Sequence, residues 1–227
     1  MREADGAAEP PYFHPDYRST VLRAPRKPLV QLPRDFHEVP GAVFPDSPGP
    51  LDYDLTRQHA GEPLGERIIL GGRVLDGEGR PVPGTLVEIW QANAAGRYAD
   101  PGDQHPAPLD PNFTGAGRCL TDGEGRYRFV TVKPGAYPWK NHHNAWRPAH
   151  VHFSVFGPQP GGRLVTQMYF PGDPLLAHDP IFQSVADQRA RRRLVAELDL
   201  DSTMPEWALG YRWDIVLRGA AATPPET

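Results

Sequence analysis

From Glu66 onward the chain is built of short stretches rich in β-branched and aromatic residues, several of them alternating apolar and polar positions with a period of two. Arg67–Leu75 (RIILGGRVL), Thr85–Gln91 (TLVEIWQ), Arg126–Val132 (RYRFVTV), His150–Phe156 (HVHFSVF), Arg163–Phe170 (RLVTQMYF) and Tyr211–Leu217 (YRWDIVL) have the length and the Gly, Pro or Asp boundaries of strands. Asp76-Gly-Glu-Gly-Arg80 recurs as Asp122-Gly-Glu-Gly-Arg126, each copy where a strand should turn back. Asp-Gly is a hairpin signal, because glycine takes a positive φ without steric penalty. An EF-hand is excluded, since the alternating Asp/Asn ligands and the distal Glu are missing. One helix is expected over Asp187–Leu198, where Ala190, Leu194, Val195 and Leu198 share a face, Asp187 can cap the start, and arginines 189 and 191–193 read as a solvated face. Six strands and one short helix predict a mostly β protein with a β-sandwich core of short antiparallel strands.

Residues 1–65 follow a different rule. They are Pro-rich and irregular, and residues 1–10 read as a disordered tail. Tyr12, Phe13, Tyr17, Val21, Leu22, Leu29, Val30 and Leu32 are too apolar for a linker. The expected organisation is an extended N-terminal arm over 1–65, packed on the core or on a partner chain, a β-sandwich domain over 66–220 and a C-terminal tail over 221–227.

Composition narrows the function classes. Proline (28) and glycine (23) make up more than a fifth of the 227 residues, which leaves little room for long helices. A net charge of −4 argues against a nucleic-acid binder that relies on a basic field. No apolar run approaches the ~20 residues of a membrane span. Met1–Pro11 is polar and lacks an apolar signal core, so the expectation is a cytoplasmic protein. A single cysteine, Cys119, excludes internal disulfides and multi-cysteine metal sites. Any metal must be held by His, Tyr or carboxylate ligands.

Candidate chemistry concentrates in three places. In Arg147-Pro-Ala-His150-Val-His152, the two histidines lie at i and i+2 of a strand and face the same way, ~6–7 Å apart at Cα, which suits two ligands of one metal. Two packed, hydrogen-bonded core histidines would show the same spacing. Pro134-Gly-Ala-Tyr137-Pro-Trp139 and Gln91-Ala-Asn93-Ala-Ala-Gly96-Arg97-Tyr98 each put a tyrosine just after a strand. Either could simply be an aromatic plug in a turn. Two partners could complete a site on His150 and His152. A carboxylate such as Asp173 or Asp179 would make the facial triad of Fe(II) oxygenases. Two phenolates are the other option. Tyrosine titrates near 10, so it binds as an anion at neutral pH only to a strongly acidic cation such as Fe(III).

The sequence resembles the intradiol ring-cleavage dioxygenases, and within them the branch that acts on protocatechuate. The resemblance runs over most of the chain and is dense in Gly65-Glu-Arg-Ile, Val87-Glu-Ile-Trp-Gln-Ala-Asn-Ala-Ala-Gly-Arg-Tyr98, Ala107-Pro-Leu-Asp-Pro-Asn-Phe113, Lys133-Pro-Gly-Ala-Tyr-Pro-Trp139, Trp146-Arg-Pro-Ala-His-Val-His-Phe153 and Asp214-Ile-Val-Leu-Arg-Gly219. It implies that Tyr98, Tyr137, His150 and His152 bind one non-haem Fe(III), with Tyr137 and His152 axial and Tyr98, His150 and a hydroxide equatorial. It also implies catalytic roles for Arg147, Tyr137 and Gln167, a substrate pocket containing Trp139 and Arg147, and a contact from Tyr17 to the substrate carboxylate. The implied partner is a related α chain that lacks the iron ligands and closes the pocket. The implied reaction is intradiol cleavage of 3,4-dihydroxybenzoate by O₂, with catechol or hydroxyquinol as alternative substrates. A non-catalytic sandwich subunit and an Fe(II) facial-triad oxygenase are the competing classes. Val39–Leu55 does not follow the family pattern, and Asn141-His142-His143-Asn144 adds two histidines near the site.

Overall fold

The computed structural model describes residues 9–30, 47–139, 146–157 and 162–226. His142 and His143, and residues 39–46, lie outside them. Three strands occupy the residues expected of them: β1 (Arg67–Leu75), β4 (Arg126–Val132) and β7 (His150–Phe156). Two others are trimmed at their ends, β2 (Leu86–Trp90) and β8 (Arg163–Tyr169). A further strand, β3 (Ala116–Leu120), has too little apolar alternation to be read from sequence; it is the edge of its sheet and forms by pairing with β2. Two-residue strands β5 (Tyr137–Pro138) and β6 (Trp146–Arg147) pair with each other.

One sheet runs β3-β2-β7-β8, antiparallel throughout. The other is centred on β1, which pairs antiparallel with β4. β1 also pairs, in parallel, with β10 (Leu209–Arg212) along its first half and with β11 (Ile215–Val216) along its second. The expected Tyr211–Leu217 strand is therefore two pieces, and the expected antiparallel core includes parallel pairs. The interruption is local: Trp213 N–H donates to the Gly71 carbonyl at 2.8 Å, and the Asp214 carboxylate accepts the Arg73 backbone N–H at 2.9 Å.

The sheets face each other across one hydrophobic core. Phe153 of β7 meets Tyr127 and Phe129 of β4 with ring centroids 5.7 and 6.4 Å apart, and Trp213 at 4.8 Å. Phe129 and Phe153 are fully buried, so truncating either to alanine would cost about 3–5 kcal/mol. Because side chains alternate along β7, Val151, Phe153 and Val155 fill this core while His150 and His152 turn to the opposite face. That geometry makes a buried strand into the floor of a site.

The repeated Asp-Gly-Glu-Gly-Arg segments form the same turn twice. Oδ1 of Asp76 accepts the N–H groups of Glu78 and Arg80, and Oδ1 of Asp122 those of Glu124 and Arg126. The positive φ falls on the second glycine, Gly79 (78°) and Gly125 (70°), not on the glycine after the aspartate.

The helix expected over Asp187–Leu198 is a single turn and a half, α3 (Gln188–Arg192). Asp187 caps it as anticipated, accepting from Arg189 N–H at 2.8 Å. The apolar face then leaves the helix. Leu194 and Ala196 bracket Tyr169, with Tyr169 N–H donating to Leu194 O and Ala196 N–H to Tyr169 O, and the chain enters β9 (Glu197–Leu198). Burial against Tyr169 and Val185 outweighs helical propensity. Arg191 and Arg193 are not simply solvated: the first bonds Gln183 and the second the Ala222 carbonyl. Two more short α-helices occur among the described residues, α1 (Arg18–Arg23) and α2 (Pro180–Ser184), with a short 3₁₀ helix over Pro174–Ala177 just before α2. No helix among those residues is long and apolar enough to cross a membrane.

Candidate metal centre

Three elements deliver the four candidate ligands. His150 and His152 stand on β7, with ring centroids 4.9 Å apart. Tyr137 lies in β5, opposite Arg147 of β6 in the ladder, rather than in a free turn. Tyr98 sits in the loop after β2, where Asn93 organises the chain: its Oδ1 accepts the N–H groups of Ala95 and Arg97. Asp103 then accepts the Tyr98 backbone N–H at 2.9 Å. The two tyrosine-bearing segments pack backbone to backbone. Gly96, at φ 78°, lies so close to the other segment that a Cβ there would sit 2.3 Å from the Ala136 carbonyl oxygen. Gly135 N–H donates in return to the Asn93 carbonyl at 3.0 Å. A turn that only glycine adopts comfortably therefore sets the distance between Tyr98 and Tyr137.

The polar atoms converge. Tyr98 Oη is 3.1 Å from His152 Nε2, and Tyr137 Oη is 3.3 Å from His150 Nε2. The tyrosine rings meet edge to face at 5.6 Å. Both imidazoles are held from behind. His150 Nδ1 donates to the Pro148 carbonyl at 2.7 Å, and His152 Nδ1 donates to the Glu226 carboxylate at 3.0 Å. Each histidine is thereby fixed with its Nε2 lone pair turned toward the tyrosines, as a metal ligand requires. Trp90 stacks on His152 at 4.8 Å with the planes 5° apart, which restrains the ring further.

Electrostatics agree with this use. Burial, followed by the nearby Arg147 and His152, holds the His150 imidazole well below its usual range, so it is neutral and ready to donate a lone pair. Burial pushes the Tyr98 phenol well up, with Tyr137 adding to the shift. Burial also raises Tyr137, against the opposing pull of Arg147. Two buried phenols become phenolates here only with a strongly charged cation among them. Two hard anionic oxygens with two neutral nitrogens suit Fe(III). The carboxylates proposed for a facial triad are engaged elsewhere. Asp173 caps the Pro174–Ala177 turn and accepts from Ala149 N–H. Asp179 pairs with Arg147. Among the described residues no three His, Cys, Asp or Glu side chains gather as a metal site.

The remaining candidates form a continuous chain of contacts. Arg147, 3% exposed, places Nη1 3.4 Å from His150 Nε2. Its Nη2 donates to Gln167 Oε1 at 2.5 Å and to Tyr169 Oη at 3.1 Å. Burial opposes its charge, but Asp179, Tyr169 and Tyr137 more than compensate and hold the guanidinium protonated. The guanidinium carbon lies 5.3 Å from the centroid of the Trp139 ring, and Trp139 contacts Tyr17 at 5.1 Å. Tyr17 is thus brought to the site from the N-terminal segment, where burial raises its phenol and Arg23 opposes the rise.

Sequence reasoning missed three contributors and read a fourth, Asp179, only as a possible metal ligand. Tyr169 shares a face of β8 with Gln167 two residues earlier, a period-two relation that could have found it. Trp90 stands at the end of β2, directly opposite His152. Asp179 announces itself as a helix cap before Pro180, but nothing in its neighbourhood marks it as the arginine's partner. Glu226, in Thr223-Pro-Pro-Glu226, carries no signal at all.

Comparison with known proteins gives the chain's family. Residues 39–219 match the dioxygenase family model, and residues 2–34 match the model for the N-terminal part of the protocatechuate 3,4-dioxygenase β subunit. The chain belongs to the intradiol ring-cleavage dioxygenases, enzymes that use iron. Within that family it is similar, 61% identical over 225 residues, to the protocatechuate 3,4-dioxygenase β chain of Burkholderia cepacia, spanning 98% of this chain and 95% of that one. It is 30% identical over 162 residues to the protocatechuate 3,4-dioxygenase α chain of Pseudomonas putida, spanning 70% of this chain and 75% of that one. Among solved structures, the dioxygenase domain of a dioxygenase–carbohydrate-binding fusion protein from Streptomyces sp. SirexAA-E superposes with a TM-score of 0.54 at 27% identity, over 81% of this chain and 96% of that one.

Proposed function

We propose that the chain is the iron-bearing subunit of a cytoplasmic intradiol dioxygenase that cleaves protocatechuate with O₂ to 3-carboxy-cis,cis-muconate, in complex with a related α chain. Tyr98, Tyr137, His150 and His152 would hold one Fe(III). The observation that carries this reading is the convergence of two phenol oxygens on two imidazole Nε2 atoms whose Nδ1 atoms are already committed.

The iron, when bound, supplies a Lewis-acid centre and a conduit for electrons between the aromatic ring and O₂. The protein's own groups do the rest. Tyr137 Oη is the internal base: as a phenolate it takes the proton of one ring hydroxyl, and Arg147 across the ladder lowers the cost of its anionic form. Arg147 is fixed in its charged state and lies beside His150, where it orients an anionic substrate and stabilises negative charge developing on the ring. Preorganised charge of this kind is typically worth a few kcal/mol. Gln167 holds the guanidinium in place. Tyr17 and Trp139 form the side of the pocket that receives the ring carboxylate. In the net reaction the bond between the two hydroxylated carbons breaks, and each of those carbons ends as a carboxyl carrying one atom of O₂.

The test is turnover of protocatechuate under isotopically labelled O₂ by the chain purified with its α partner. The expected product is the 3-carboxy-muconate with both labelled atoms retained. Cleavage outside the two hydroxylated carbons, or a product with a single labelled atom, would contradict the assignment.

A further inference from the structure

We propose that Glu226 is a positioning residue for the metal centre, whose carboxylate fixes His152 in the tautomer and orientation that turn Nε2 toward Tyr98. The proposal rests on the iron reading above and adds to it a contact made by a residue 74 positions away from the ligand it serves.

The two ligand histidines are held in unlike ways. His150 Nδ1 donates to a backbone carbonyl two residues away, an acceptor that no side-chain substitution removes. His152 Nδ1 donates to Glu226 Oε2 at 3.0 Å. The two nitrogens of an imidazole point to opposite sides of the ring, so a carboxylate on Nδ1 is not a ligand of a metal on Nε2. It acts through the ring, selecting the Nε2 lone pair and raising its basicity.

The segment that carries Glu226 is tied down at several points. Thr223 exchanges two hydrogen bonds with Val216, its N–H donating to the Val216 carbonyl and its Oγ1 accepting the Val216 N–H, both at 2.9 Å. The buried Thr166 hydroxyl donates to the Pro224 carbonyl at 2.7 Å, and Glu226 N–H donates to the Val165 carbonyl at 2.7 Å. Residues 223–226 are thereby laid along β8, next to the strand that bears His152. The carboxylate is four-fifths buried, so water competes weakly for the imidazole N–H. A side chain tethered this firmly loses little entropy in making the bond, which is what a fixed outer partner of a metal ligand needs.

The test compares the parent complex with Glu226→Gln, Glu226→Ala and Thr166→Val, each purified with the α partner. Two quantities are read: the rate of iron release to an excess of chelator, and the position of the visible phenolate band. Outer-shell partners typically change metal affinity 10–100-fold. Glu226→Ala is expected to release iron about 10–100-fold faster and to shift the band. Glu226→Gln, which keeps an acceptor but loses the charge, should fall between Ala and parent. Thr166→Val removes one tether and leaves the Glu226 N–H to Val165 and both Thr223–Val216 bonds in place, so Glu226 stays on His152 and the band should stay where it is. If Glu226→Ala does not fold, Glu226→Gln carries the comparison alone. Iron release and band both unchanged in the Glu226 variants would overturn the proposal while leaving the iron site intact. A band shift in Thr166→Val as large as in Glu226→Gln would also overturn it, by assigning the effect to packing of the segment. A parent complex without iron or visible band would overturn the metal reading itself, and this proposal with it.

Discussion

Arg147 and Asp179 form a two-point ion pair sealed from solvent: Nε lies 3.0 Å from Oδ1 and Nη2 3.1 Å from Oδ2, with the side chains 3% and 0% exposed. Asp179 also accepts from Tyr169 Oη and caps α2 through Phe182 N–H, so one carboxylate satisfies a cation, a phenol and a helix end. The pair gives Arg147 a structural task beside the catalytic one proposed for it. Removing either partner leaves the other buried and uncompensated, which typically costs 3–5 kcal/mol. Asp179→Asn and Arg147→Ser should each lower the denaturation midpoint and abolish most turnover. The double variant, Arg147→Ser with Asp179→Asn, should be less destabilised than the sum of the two single losses, yet equally inactive. Additive destabilisation in that cycle would show that the two groups are not coupled.

The close approach of Gly96 to Ala136 gives a second expectation. Gly96→Ala places a Cβ at positive φ and against a backbone carbonyl, a combination that costs on the order of 1–3 kcal/mol of strain. Relief requires the Tyr98 and Tyr137 segments to move apart, so the variant should be purified with less iron as well as a lower melting temperature. Full iron occupancy with unchanged stability would show that the two loops do not set the ligand spacing.

Tyr17 bears on substrate choice. If its hydroxyl meets the ring carboxylate, Tyr17→Phe removes a hydrogen bond to a charged group, worth ~1.5–3 kcal/mol. The ratio of kcat/KM for protocatechuate over catechol should then fall by about 10–100-fold, with the catechol value little changed. An unaltered ratio would place the carboxylate elsewhere.

Cys119 offers a check on packing away from the site. Burial, opposed by a hydrogen bond from the Arg128 backbone N–H, pushes its thiol up to about 11. At pH 8 the thiolate fraction is then on the order of 10⁻³, against roughly a quarter for a free thiol. Alkylation by iodoacetamide should be about a hundredfold slower than for free cysteine, rising about tenfold per pH unit up to the region of pH 11. Complete labelling within minutes at pH 8 would mean that β3 opens readily.

Much of this architecture is legible in the sequence because period-two patterns and paired turn motifs report local physics. β1, β4 and β7 need nothing beyond their own alternation, and His150-x-His152 inherits its common face from β7. What local pattern cannot report is pairing over distance. β3 exists because β2 offers an edge, Leu194–Ala196 leaves the helix because Tyr169 offers backbone partners, and Glu226 reaches His152 because several bonds, to Val216, Thr166 and Val165, together hold its segment. The tyrosines illustrate both sides. Each is an ordinary turn residue by itself, and they acquire meaning from Gly96 and Gly135, which bring their loops into contact. The short helices follow the same division: Asp173-Pro174 and Asp179-Pro180 are recognisable cap and first-turn pairs, but the segments are too short for any helical period to show.

If Tyr98, Tyr137, His150 and His152 hold Fe(III), two phenolates bind it. The most direct measurement is the visible absorption spectrum of the chain purified with the proposed α partner, taken together with its metal content. A reddish protein with about one iron per chain is expected, its band moved or weakened in Tyr98→Phe and moved differently in Tyr137→Phe, because each variant removes one anionic donor. A colourless protein filled with zinc or Fe(II), or a band that neither tyrosine substitution alters, would mean that the two tyrosines do not bind Fe(III).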